Sequence, residues 1–270
     1  MSNLRRKLQS NHEAGTKSLG IFVTCGFPEK SASLPILNAI DRGGADFIEL
    51  GMPFSDPLAE GIPIQRSSEA ALLGGITMND TFGVARNFRK ESATPLVLMG
   101  YTNPVLHYGI SNFFETAHSS GVDAVILPDL SPEESAPYRE AAREADVDLV
   151  FLIAPTTPED RIREIDNLSS GFVYAVSITG LTGNQIDEIS VVTQYLERVK
   201  TIVVKNPLLV GFGISSHDVA VELSRHTQGC IVGSALINKI EHLWSNSQLS
   251  SSERLESIQS FIHELKNGAS

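Results

Sequence analysis

The 270-residue sequence predicts an α/β fold, a (β/α)8 barrel with extra short helices at the N-terminus and near the eighth strand. Three observations point there. Short apolar runs alternate with segments of helical period along the whole chain, a pattern that demands a parallel sheet covered by helices. Roughly eight such units occur, and the length falls where a single barrel of this kind normally falls. No dinucleotide-binding glycine fingerprint is present, which favours closure over an open doubly wound sheet. No linker rich in Pro, Gly or Ser parts two domains, so residues 1–270 read as one domain, with a helix over 1–15 and the barrel and C-terminal helix over 16–270.

The elements follow in order. Leu4 and Leu8 lie one helical turn apart, and no apolar stretch follows Arg5, Arg6 and Lys7, so the first segment reads as an amphipathic helix rather than a signal peptide. The strands read as Leu19–Thr24, Asp46–Leu50, Pro95–Met99, Asp123–Leu127, Asp148–Ile153, Phe172–Ser177, Pro207–Gly211 and Cys230–Val232. The helix after the first strand places Leu34, Leu37, Ile36 and Ile40 on one stripe and stops at Gly43-Gly44. Ser131-Pro132-Glu133-Glu134 reads as a capping box, and Thr157-Pro158-Glu159-Asp160 as a close relative, both marking helix starts. Ser245–Ser252 reads as a loop before a last helix that carries Leu255, Ile258, Ile262 and Leu265 on one face, with Gly268 as its cap.

Composition narrows the function. A net charge of −11 argues against nucleic acid or an anionic membrane as the main partner, because both reward a basic face. It leaves room for a small anionic ligand at a local site. Cys25 and Cys230 stand far apart in apolar runs and read as reduced core thiols, so a cytoplasmic location is expected. The seven histidines show no metal-ligand spacing, and neither a metal nor a cofactor is expected.

A barrel's active site lies at the carboxyl ends of its strands. Glu49 is the most informative residue there, a carboxylate flanked by Ile48 and Leu50 inside a central strand. It is either an ion pair with a neighbouring strand or a general acid/base whose pKa burial raises. The loop after it, Gly51 to Gly61, is long and contains Pro53 and Pro57, and such a loop is costly to order unless it binds something. Glu60 ends it, either as a second carboxylate over the pocket or as a charge at a helix N-terminus. Glycines at Gly211-Phe212-Gly213 and Gly233-Ser234 follow the seventh and eighth strands, where barrels often hold phosphate on backbone N–H groups. Gly180-Leu181-Thr182-Gly183 adds a hinged third wall. Tyr101, Asn103 and Asp129 either line the pocket or end strands.

Several runs together resemble one family. Phe47 to Ala59, Tyr101-Thr102-Asn103-Pro104, Ala154-Pro155-Thr156-Thr157, Gly171-Phe172-Val173-Tyr174, Gly211 to Ser215 and Gly233-Ser234-Ala235 are similar to the α subunit of tryptophan synthase, collinearly from about Gly20 to Ile240. The resemblance implies a barrel that cleaves indole-3-glycerol phosphate into indole and glyceraldehyde 3-phosphate. On that mapping Glu49 is the proton shuttle and Glu60 the carboxylate that accepts the indole N–H. Phe22, Leu98, Tyr174 and Thr182 map onto the pocket, and Gly183, Gly211, Gly213, Gly233 and Ser234 onto the substrate and phosphate contacts. Pro53, Asp56, Pro57 and Asn103 map onto the face that meets a β subunit, with an α2β2 assembly implied.

The chain departs from the family's pattern at Glu60, where Asp is common, at Phe27, where Asp is frequent, and at Gly100, where a larger residue is usual. The longer carboxylate implies either reduced α activity or a loop repacked to bring Glu60 into register. Two other readings stand beside the lyase. One is an isomerase or epimerase of a sugar phosphate, which leaves the Pro53–Ala59 loop unexplained. The other is a catalytically weakened α-like subunit that mainly activates a β subunit, against which Glu49 weighs.

Overall fold

In the computed structural model, which describes residues 2–57, 60–176, 185–211 and 213–268, the eight strands close into a barrel in the order of the sequence. They are β1 (Ser18–Thr24), β2 (Phe47–Gly51), β3 (Leu96–Met99), β4 (Ala124–Ile126), β5 (Asp148–Ile153), β6 (Val173–Val176), β7 (Leu208–Gly211) and β8 (Gly229–Val232). Every neighbouring pair is parallel, and β1 closes on β8 with Leu19 opposite Cys230. Each observed strand lies within two residues of its expected bounds over the described residues. Strands buried on both faces carry near-continuous apolar runs, which is why they are easy to find.

The helices are α1 (Asn3–Glu13), α2 (Ser33–Arg42), α3 (Ile62–Leu73), α4 (Met78–Glu91), α5 (Thr102–Tyr108), α6 (Ile110–Ser119), α7 (Ala136–Glu144), α8 (Glu159–Leu168), α9 (Gln185–Lys200), α10 (His217–Ser224), α11 (Ser234–Ser245) and α12 (Ser251–Asn267). Two of them are extra helices, α3 at the end of the long loop that follows β2 and α5 just after β3. An extra helix near β8 is also expected, and α11 is that helix, while α12 packs against α2 and completes the eighth unit. Helix α1 lies across the N-terminal end of the barrel. Leu4 and Leu8 are buried there, Arg5 pairs with Asp148 at 2.8 Å, and Lys7 pairs with Asp46 at 3.1 Å. The opposite end, where the strands finish, is left for the site.

Two helix-start signals behave differently from expectation. Ser131 accepts from the Glu134 backbone N–H, but it caps only a single 3-10 turn over Pro132–Glu134, and α7 begins after it without a side-chain cap. The Thr157 hydroxyl accepts from the Ala154 N–H at 2.9 Å, closing the turn that leaves β5, and so does not cap α8. A hydroxyl near a helix start serves whichever backbone donor the loop presents to it. Complete capping boxes occur instead at Thr77 with Asp80 and at Ser250 with Glu253. Cys25 and Cys230 are free and buried, and burial pushes both thiols up to about 11.

Candidate active site

At the carboxyl end of the barrel a cavity is lined by Phe22, Glu49, Glu60, Ile64, Met99, Tyr174, Gly213, Ile214, Ile231, Gly233 and Ser234. Glu49 sits in mid-strand on β2, between Phe22 of β1 and Val97 of β3 in the parallel register. It is fully buried, and neither carboxylate oxygen has a hydrogen-bond partner among the described residues. That excludes the structural ion pair. Burial, and after it the charge of Glu60, raises the Glu49 pKa well above the usual carboxylate range. Both effects favour the protonated form of Glu49.

Glu60 reaches the same cavity by a different route. Its N–H donates to the Pro57 carbonyl at 3.0 Å, and its carbonyl accepts from the Gln65 side chain at 2.8 Å, so hydrogen bonds fix it from both sides. Gly61, in extended conformation, is the N-cap of α3, and Pro63 occupies the first turn. Glu60 is thus a cavity residue rather than a helix-end charge. It is 9% exposed, one of its oxygens is unpartnered, and burial raises its pKa to about 7. The extra methylene does not keep this carboxyl out of the pocket.

Two aromatic residues shape the walls. A side chain at Gly51 would lie 2.7 Å from the Phe22 ring, and one at Gly211 would lie 2.2 Å from the Tyr174 hydroxyl, so each ring occupies the space of a missing Cβ. Gly211 itself does not line the cavity. It acts on the cavity through Tyr174, a phenol that burial, Glu49 and Glu60 hold in its neutral form. Leu98 is also misplaced by the motif mapping. It is fully buried away from the cavity, and Met99 lines it instead, because neighbouring strand residues point to opposite faces and Met99 shares the face of Val97, the register partner of Glu49.

Gly213, with a φ of 76°, and Gly233 with Ser234 bring two loops and the N-terminus of α11 to the rim. Backbone N–H groups at a helix start suit an anion. No Lys or Arg is among the described lining residues. Thr182 and Gly183, with Gly180, lie outside the described residues. Asp56 and Asn103 are exposed, and Pro53 and Pro57 half-buried, on the loops after β2 and β3. Phe54 stacks on Tyr101 with ring centroids 5.1 Å apart, joining those two loops. Asp129 accepts from the Thr102 N–H at 3.0 Å and from its hydroxyl at 2.6 Å, which ties the loop after β4 to the start of α5. Tyr101, Asn103 and Asp129 do not line the cavity. Ile64, Ile214 and Ile231 do, although nothing chemical marks them in the sequence. The position of Ile231 opposite Gly20 in the barrel register is the one cue to its face.

The family model described as "Tryptophan synthase alpha chain" matches residues 8–269. The tryptophan synthase alpha chain of Roseiflexus castenholzii is 43% identical over 242 residues, covering 89% of this chain and 92% of the relative. That of Geotalea uraniireducens is 39% identical over 268 residues, covering 99% and 98%. Among solved structures, tryptophan synthase subunit alpha from Legionella pneumophila superposes with a TM-score of 0.89 at 32% identity, covering 99% of this chain and 98% of that one. A tryptophan synthase from M. tuberculosis in its aminoacrylate-bound form gives 0.86 at 30% identity, covering 99% and 100%.

Proposed function

The chain belongs to the tryptophan synthase alpha chain family, and from that premise we propose that Glu49 and Glu60 carry the family's reaction here. That reaction is the retro-aldol cleavage of indole-3-glycerol phosphate to indole and glyceraldehyde 3-phosphate, which makes the chain a carbon–carbon lyase. The observation that carries the residue assignment is the pair of buried, unpartnered carboxyl groups in one cavity at the strand ends.

Each carboxyl suits one half of the chemistry. Glu49, whose protonated form burial favours, gives its proton to indole C3, which turns the ring carbon into a leaving group. The resulting Glu49 carboxylate takes the proton of the glycerol hydroxyl next to the scissile bond. The C–C bond then breaks, its electron pair returns to the ring, the hydroxyl carbon becomes the aldehyde, and Glu49 is again protonated. Glu60, as a carboxylate, accepts the indole N–H and stabilises the positive charge that C3 protonation places on the ring. Phe22, Tyr174, Met99 and the three isoleucines bury the indole. Gly213, Gly233 and Ser234 receive the phosphate, with Gly183 the fourth expected contact.

The family partners a β subunit. An α2β2 assembly, with Pro53, Asp56, Pro57 and Asn103 on the shared face, is the arrangement supported by the joined loops after β2 and β3. A single domain over 1–270 and a cytoplasmic location complete the reading. Among the described residues, no helix is long and apolar enough to cross a membrane. The test is to incubate the chain with indole-3-glycerol phosphate, alone and with a β subunit, and to follow glyceraldehyde 3-phosphate. Product is expected, faster with the partner, and Glu49→Gln should lower kcat by about 10²-fold or more. No product in either mixture overturns the assignment.

A further inference from the structure

The loop that delivers Glu60 is anchored at its root by an unusual fit. Directly after β2, the Met52 N–H donates to the Met99 carbonyl at 2.6 Å, and the Gly100 N–H donates to the Ile126 carbonyl at 3.1 Å. A Cβ added to Gly100 would stand 2.5 Å from the terminal methyl of Met52 and 3.0 Å from its Cβ. The buried Met52 side chain therefore lies across the bare Cα of Gly100. Two residues further on, Phe54 stacks on Tyr101. Alternate residues of the loop root thus dock on successive residues just past β3, and further along the chain Glu60, bonded to the Pro57 carbonyl, enters the cavity.

We propose that Met52 and Gly100 form a volume-matched pair that seats the root of the loop, and that Met52 is a positioning residue acting through the loop on Glu60. The inference rests on the assignment of Glu60 made above. The physical basis is that Met is unbranched and conforms to the surface beneath it, whereas the backbone under it does not yield. A lone Cβ at position 100 meets the Met52 methyl, which can swing aside, and the Met52 Cβ at 3.0 Å, which a shift of a few tenths of an ångström relieves. A larger side chain needs the volume filled by the rest of the Met52 side chain, and while that is in place only a larger shift of the loop's backbone can provide it. A shift of about 1 Å at a catalytic group can cost on the order of a hundredfold in rate.

Four variants test this with two readouts, steady-state kinetics on indole-3-glycerol phosphate and the titration of Glu60 followed by carboxyl carbon NMR. Gly100→Ala should change kcat by about twofold or less, since the Met52 methyl can swing aside and the contact with its Cβ asks for only a few tenths of an ångström. Gly100→Leu should lower kcat by about tenfold to a hundredfold with a smaller change in KM, because the phosphate end is held by the loops after β7 and β8. Its Glu60 titration should fall from about 7 toward the ordinary value as the carboxyl loses its buried seat. Met52→Ala alone should give an intermediate loss. Met52→Ala combined with Gly100→Leu should restore both kcat and the Glu60 titration to near the parent values. A purely structural role would alter thermal stability without moving the titration, and rescue would be absent.

Gly100→Leu with parental kcat and titration overturns the proposal. So does a double variant that is no better than Gly100→Leu, or one that fails to fold, since the two volumes would then not be interchangeable. A parent chain that does not cleave the substrate overturns the reaction assignment instead, and the NMR titration still decides whether Met52 and Gly100 set the place of Glu60.

Discussion

Replacing Glu60 by Gln should make the folded chain more stable at alkaline pH and leave it nearly unchanged in acid. In the unfolded chain the carboxyl titrates at its ordinary 4.5, whereas burial raises it to about 7 in the folded one. Between those values the native state holds a proton that the unfolded state has released, so stability falls as pH climbs through this window and is level above it. The window is 7 less 4.5, and at about 1.4 kcal/mol per pH unit the full loss is about 3 kcal/mol. A Gln side chain keeps most of the shape and has no proton to release, so the variant escapes this loss. It also removes the charge that helps raise Glu49, which acts in the same direction. The measurement is thermal unfolding at constant ionic strength from pH 4.5 to 8.5. For a domain of this size each kcal/mol moves Tm by about 2–4 °C, so the two curves should part by roughly 6–12 °C at pH 8 and converge near pH 4.5. A constant offset across the range, or a gap that widens toward acid, would refute the claim that burial raises the pKa of Glu60.

Three further outcomes follow from the same geometry. Because Glu60 must be ionised to accept the indole N–H, kcat/KM should rise through an acidic limb near pH 7; a limb at the ordinary carboxylate value would show that the loop holds Glu60 in water. Gly51→Ala places a Cβ 2.7 Å from the Phe22 ring and should drive that ring into the cavity, raising KM by about tenfold while the chain stays folded. A KM within twofold of the parent would mean that the ring has room elsewhere. With no Lys or Arg among the described lining residues and a net charge of −11, added salt should leave KM unchanged or lower it by screening long-range repulsion of the phosphate. A KM that climbs steeply with salt would instead point to a cationic side chain on the phosphate.

What the sequence makes legible here, and what it does not, follows from the range of the forces involved. The barrel is readable because each strand buries both faces and so declares itself as an apolar run over a few residues. Glu49 is readable for the complementary reason, since a carboxylate inside such a run is costly and must be explained. Glu60 is different. Its burial depends on tertiary placement, and the bonds to the Pro57 carbonyl and from the Gln65 side chain hold it at the cavity instead of leaving it as a helix-end charge. Leu98 shows a third case. Matching motifs to within one residue is enough to find a strand but not a face, since a shift of one exchanges inside for outside. Counting from Glu49 across the sheet removes the ambiguity, because its register partner Val97 fixes Met99 as the inward residue. The same parity places Ile231, level with Gly20 and one step from Phe22, at the mouth of the barrel. In a closed parallel sheet one buried charged residue of known orientation is therefore enough to assign the inner face of the neighbouring strands, provided the register is counted through hydrogen-bonded partners rather than through similar-looking motifs.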